Sequence, residues 1–147
     1  MQKVVKDLTE LESEAKHLLA RLALRADGAT LITLSGELGA GKTALAKALA
    51  RALGITEVVS SPTFVLEKIY RLPAGSPFAR LVHIDAYRLE SGAELAPLGF
   101  DEIMQDPHSL VILEWPERVA DALPPPALAI SLVALPDHSR QVEIVAA

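Results

Sequence analysis

One stretch constrains this chain more than any other. Residues 36–43 read GELGAGKT, with ATLITLS before them and ALAKALARAL after. The pattern is G-x-x-x-x-G-K-[ST], the Walker A loop, whose glycines let successive backbone N–H groups turn inward around an anion. The run before it is apolar and rich in β-branched residues, which reads as a buried strand. The segment after it puts Leu45, Leu49, Ala52 and Leu53 on one helical face and stops at Gly54. Strand, loop and helix together set the positive end of a helix dipole at Gly41, Lys42 and Thr43. Lys42 is a mobile point charge for β- and γ-phosphates, and Thr43 offers a hydroxyl to Mg²⁺. The ligand class this chemistry fits is a nucleotide.

The rest of the chain is read around that unit. Its 147 residues suit one domain covering residues 1–147. Thr9 and Glu12 have the spacing of a capping box, and Leu11, Ala15, Leu18, Leu19 and Leu22 follow at helical spacing until Asp27-Gly28. Residues 64–72 (FVLEKIYRL) and 80–84 (RLVHI) read as strands separated by the turn PAGSP. Between Ser91 and Pro107 the pattern gives short helical pieces broken at Pro97-Leu98-Gly99. LVIL at 110–113 is a continuous apolar run, the mark of a strand covered on both faces. Pro116 opens a short helix, PERVADAL. Two strands, 127–135 and 140–146, close the chain as a hairpin around Pro136-Asp137-His138, after a stiff connector at 124–126. The expectation is a three-layer α/β P-loop fold, with a mostly parallel sheet and antiparallel strands at one edge.

Composition removes several classes. There is no cysteine, hence no thiolate metal site or thiol nucleophile, and the four histidines are not paired at ligand spacing. The net charge of −5 argues against independent binding to DNA, and leaves tRNA as an indirect or weak contact. No apolar run is long enough to span a bilayer, and the N-terminal residues are too polar for a secretory signal, so the expected place is the cytoplasm, with no membrane partner.

Hydrolysis needs carboxylates beside the phosphates as well as a loop that holds them. Asp85 closes RLVHID and Glu114 closes LVILE, and ligands of open α/β sheets collect at the carboxyl ends of parallel strands. Each acid also suits an ordinary strand-end position facing solvent. Trp115, the only tryptophan, directly follows Glu114 and suits either nucleotide contact or core packing. Ser60-Ser61-Pro62-Thr63-Phe64 lies where P-loop proteins carry a nucleotide-sensing segment, and Thr63 could reach the γ-phosphate; a strand-entry turn explains it equally. Arg88 fits a surface ion pair better than a phosphate. Asparagine is absent, so the N-K-x-D guanine signature is too, and ATP is the expected nucleotide. The only irregular insertion is acidic, which disfavours a small-molecule kinase and favours a weak ATPase gated by a protein partner. A non-catalytic nucleotide sensor is the remaining alternative.

In order and spacing, GELGAGKT, SPTF, HIDAYRL and LEWPER resemble the bacterial TsaE (YjeE) family, from the first helix to about Val119. The resemblance implies a small Mg²⁺-dependent ATPase of tRNA threonylcarbamoyladenosine (t6A) biosynthesis. It would assist the TsaD and TsaB proteins, which modify adenosine 37, by resetting that complex between turnovers. By position it implies that Leu38, Gly39, Ala40, Gly41, Lys42 and Thr43 hold the phosphates, and that Thr43 and Glu114 coordinate Mg²⁺. Asp85 would aid the attacking water, with Lys42 and Glu114 completing the catalytic set. Thr63 would belong to the switch-like segment. Glu12 falls near the family's N-terminal nucleotide contact, and Glu117 and Trp115 are further nucleotide-side candidates. Glu37 and Ala44 depart from the commoner aspartate and threonine without touching a proposed ligand.

Overall fold

The computed structural model describes residues 1–56 and 66–146. The order along the chain is β1 (Gln2–Val5), α1 (Leu8–Ala20), β2 (Thr30–Ser35), α2 (Lys42–Ala52), β3 (Glu67–Arg71), β4 (Arg80–Asp85), α3 (Phe100–Met104), β5 (Ser109–Glu114), β6 (Leu128–Ala134) and β7 (Arg140–Ala146). Short 3₁₀ turns lie at Gly92–Leu98, Pro116–Arg118 and Ala120–Ala122. The strands form one sheet in the order β1-β7-β6-β2-β5-β4-β3. Its centre, β6-β2-β5-β4, is parallel. β7 and β1 extend one edge antiparallel, and β3 adds a further antiparallel strand at the other.

Strand alternation separates two cores. Ile32, Leu34, Leu81, Leu110 and Ile112 turn toward α1 and α2, where Leu18, Leu45 and Leu49 meet them. Leu31, Val82, Ile84, Val111 and Leu113 turn the other way, onto Leu95, Phe100, Ile103 and Val119. Both faces of β5 are therefore dry, which is why LVIL carries no polar alternation. Truncating one of these leucines to alanine costs about 2–5 kcal/mol. The same period fixes the chemistry: His83 and Asp85 share the face of Leu81, and Glu114 shares the face of Leu110 and Ile112. The acids at the strand ends thus look toward α2.

Several local readings are corrected. The N-cap of α1 is Asp7, whose Oδ1 accepts from Glu10 N at 2.9 Å, while Glu10 Oε2 accepts from Lys6 N at 2.8 Å. The cap thus lies two residues earlier than Thr9, with Glu10 reaching back to Lys6 just before it, and aspartate caps at least as well as threonine. α1 ends at Ala20, not at Asp27-Gly28; beyond it Leu24 is exposed and has no core to face. β1 was not legible, because only Val5 of its four residues is buried. PERVADAL forms two 3₁₀ turns instead of a helix, broken at Val119, which is buried in the second core with φ −132°. Asp121 from this segment accepts from Gly92 N at 2.8 Å. The part of the expected strand 64–72 before Leu66 lies outside the described residues.

Candidate nucleotide-binding site

The glycine loop joins β2 to α2 at the carboxyl edge of the parallel strands. Its N-cap, Gly41, has φ +106° and, as a glycine, gives no side-chain cap to the first N–H groups of α2. Gly36 begins the loop with φ +142°. Arg140, from β7, leans on the loop and donates from Nη2 to the Gly39 carbonyl at 3.3 Å. Amide donors and two cations thus converge on one small region.

Lys42 is 95% buried by its surroundings, with 5% of its surface exposed. Its Nζ donates to the carbonyls of Gly36 and, at 2.9 Å, Glu37. It also stands 4.1 Å from the centre of the Trp115 ring, a cation–π contact. Burial pulls its pKa below the usual lysine value, while Glu114, Glu117 and Asp85 pull it back up. Trp115 reaches this place because its backbone is left-handed, with φ +62°, directly after β5. Its N–H still bonds Leu34 O at 3.0 Å, so the sheet holds the turn that aims the indole. Tyr87 packs on the indole with ring centres 5.0 Å apart, and the Arg118 guanidinium lies 5.6 Å from the Tyr87 ring.

Across the cleft, Thr43 Oγ1 donates to Glu114 Oε1 at 3.2 Å. The other carboxylate oxygen, Oε2, lies 2.6 Å from His83 Nε2, and both of these side chains are 2% exposed. Asp85 pairs with Glu114 in the β4–β5 ladder, and its Oδ1 accepts from Tyr87 N at 3.0 Å. Burial pushes its carboxyl above the ordinary aspartate value, the Tyr87 amide opposes that, and the Glu114 charge adds to it. Leu38, Gly39, Gly41, Lys42, Thr43, Ala44, Asp85, Tyr87, Glu114 and Trp115 line a single cavity of about 320 Å³. A second cavity, of about 190 Å³, lies on the other side of Gly41 and Ala44. Its walls include Leu8, Leu11 and Leu132, with Asp7, His138 and Arg140 at its polar side.

The structure therefore brings Leu38, Gly39, Gly41, Lys42, Thr43, Asp85, Glu114 and Trp115 to one cleft, with buried Ala40 on the wall of the neighbouring cavity. Glu117 is exposed but close enough to act on Lys42. Glu12 is elsewhere: its carboxylate pairs with Arg51 at 3.1 Å on the outer side of the α1–α2 contact. Thr63, with the rest of the SPTF segment, lies outside the described residues. Arg140 was not singled out by its sequence, and of His83 the sequence showed only that it shares a strand face with Asp85 and Tyr87, which suits a site and a polar edge alike. Arg140 carried no signal, because its approach to the loop depends on β7 lying beside β6.

The model of the family "Threonylcarbamoyl adenosine biosynthesis protein TsaE" matches residues 8–142. The chain belongs to the TsaE family. A TsaE protein of Streptomyces coelicolor is 42% identical over 110 residues, covering 74% of this chain and 71% of that protein. One from Bacillus subtilis is 35% identical over 136 residues, covering 90% and 80%. Both carry the name tRNA threonylcarbamoyladenosine biosynthesis protein TsaE. The crystal structure of Bacillus subtilis YdiB superimposes with a TM-score of 0.76 at 29% identity, covering 99% of this chain and 84% of that one. TsaE proteins take part in t6A biosynthesis. No helix among the described residues is long and apolar enough to cross a membrane.

Proposed function

We propose that this TsaE-family chain is a cytoplasmic ATP-binding and hydrolysing component of tRNA t6A37 modification that acts on the TsaD–TsaB complex. The observation that carries the nucleotide reading is the meeting of an uncapped α2 start, bearing Lys42 and Thr43, with Asp85 and Glu114 at paired positions of parallel strands. Phosphates would lie on the loop amides, and Lys42 would exchange the carbonyls of Gly36 and Glu37 for phosphate oxygens. The adjoining cavity, apolar with a polar side, fits the base and ribose.

The donor set fits Mg²⁺. Thr43 Oγ1 and Glu114 Oε1 are hard oxygen atoms already 3.2 Å apart. Among the described residues no group of three or more histidine or carboxylate side chains gathers to hold a metal. When bound, Mg²⁺ supplies neutralisation of charge on the β- and γ-oxygens. Thr43 and Glu114 would hold it. Asp85 would accept a proton from the attacking water, a task that its raised pKa suits. Trp115 and Tyr87 wall the cleft and limit water around Lys42.

The test is an ATPase assay with and without the TsaD–TsaB complex, on the parent chain and on Lys42→Ala. Slow turnover alone, faster turnover with the complex, and none from Lys42→Ala is the expected result. An equal rate with and without the complex removes partner activation. ATP-dependent phosphorylation of a metabolite would instead establish a small-molecule kinase, and nucleotide binding without hydrolysis under any condition would establish a sensor.

A further inference from the structure

We propose that His83 is a positioning residue for Glu114, tying one carboxylate oxygen so that only the other faces Thr43 and the phosphate cradle. This rests on the reading of the cleft as a Mg²⁺–nucleotide site and deepens it, by naming the group that sets how Glu114 meets the metal.

A carboxylate as buried as Glu114 must have partners for both oxygens, because an unpaired buried charge is costly. The two oxygens are served differently. Oε1 takes the Thr43 hydroxyl at 3.2 Å, and Oε2 lies 2.6 Å from His83 Nε2. The ladder explains the second contact. His83 stands opposite Ile112, two residues before Glu114, so His83 and Glu114 are diagonal neighbours on one sheet face. In the proposed arrangement the carboxylate accepts and His83 Nε2 donates to it.

With Oε2 held at the back, Glu114 presents a single oxygen at the mouth of the cleft. A one-oxygen carboxylate contact suits the small octahedral shell of Mg²⁺ better than a chelating one. Partners of ligating carboxylates commonly govern metal affinity by about 10–100-fold. A histidine that merely filled the space between β4 and α2 would show no such dependence, and the difference can be measured.

The experiment compares the parent chain, His83→Leu and His83→Gln. ADP affinity is measured by calorimetry across a Mg²⁺ titration and in EDTA, with a thermal melt for each protein. His83→Leu is expected to need about 10–100-fold more Mg²⁺ for the same ADP affinity, with affinity in EDTA unchanged. His83→Gln places an amide N–H near the former Nε2 position and is expected to recover most of the loss. A Mg²⁺ dependence of His83→Leu equal to the parent's overturns the inference, as does a glutamine variant as impaired as the leucine one. Imidazole nitrogen NMR on the parent protein guards against variants that do not fold. Hydrogen on Nε2 supports the inference, and a neutral ring carrying its hydrogen only on Nδ1 overturns it. If the parent binds ADP with no Mg²⁺ dependence, the metal reading of the cleft falls and His83 with it. If the parent depends on Mg²⁺ and the variants match it, the inference about His83 falls alone.

Discussion

Asp85 and Glu114 stand opposite one another at the last paired positions of β4 and β5, two carboxylates on one sheet face beside a single buried lysine. Their surroundings divide them. Glu114 is held at both oxygens, by Thr43 and by His83. Asp85 accepts the Tyr87 amide and is otherwise pushed toward its neutral form, first by burial and then by Glu114. Neighbouring acids with different environments can take different roles, one fixed toward a metal and one able to exchange a proton.

Asp85→Asn should therefore lose activity and gain stability. A carboxyl held above its ordinary value resists ionisation in the folded state. Its cost to folding is absent below the ordinary aspartate range and complete above the raised value. Near neutral pH the asparagine variant should melt higher than the parent, and the gap should close as acid takes the parent below the ordinary range. Turnover with the partner complex should fall about 10²–10⁴-fold, the usual worth of a general base. Parent turnover should rise with pH through the raised Asp85 value. A variant that melts lower than the parent near neutrality would show that the interactions of the ionised group outweigh its burial.

Glu114→Gln keeps the size of the side chain and removes its charge. ADP binding in EDTA should be close to that of the parent, while the gain in affinity on adding Mg²⁺ should largely vanish. Turnover should drop by at least about 10²-fold, since the metal is then poorly held. Calorimetry with and without Mg²⁺ checks the first part, and phosphate release the second. Unchanged turnover would remove Glu114 from the metal site.

The phosphate loop and both acids were legible because each combines a local pattern with a position that the sheet dictates. A strand, a glycine loop and a helix must lie in that order, and an acid ending an apolar parallel strand emerges at the same edge. What escaped depends on register and on neighbours remote in sequence. Arg140 reaches Gly39 only because β7 folds back on β6, and His83 reaches Glu114 only through the stagger of β4 against β5. The start of α1 was misplaced because Asp7 and Thr9 are both good N-cap residues on paper; burial of Leu11, Ala15 and Leu18 does not choose between them, and the actual backbone turn does. β1 escaped because an edge strand with one buried residue carries no alternation to read.

Gly36→Ala tests how tightly the loop is sprung from the sheet. The backbone there has φ +142°, and an added Cβ would lie 2.4 Å from the Leu132 carbonyl oxygen, a backbone atom of β6 that cannot yield cheaply. Strain together with overpacking should cost about 2–4 kcal/mol. For a chain of this size that lowers Tm by roughly 5–15 °C. ADP affinity should fall as well, because Lys42 Nζ and the loop amides take their places from the Gly36 turn. A melt within a degree or two of the parent's would mean that β6 gives way more easily than its place in the sheet implies.

Trp115 makes the cleft report on itself. It is the only tryptophan, and its ring carries the Lys42 ammonium at 4.1 Å. A nucleotide that draws Lys42 onto its phosphates takes that cation off the indole while leaving the Tyr87 contact in place. Emission of the parent should therefore change on adding ADP and Mg²⁺. Lys42→Ala should start from the emission of an indole without its cation and change little on addition. Its ADP affinity should fall about 10–150-fold, the worth of a charge-assisted bond at about 1.5–3 kcal/mol. If Lys42→Ala gives the same spectral change as the parent, the indole senses the nucleotide directly, and the lysine is not the moving part.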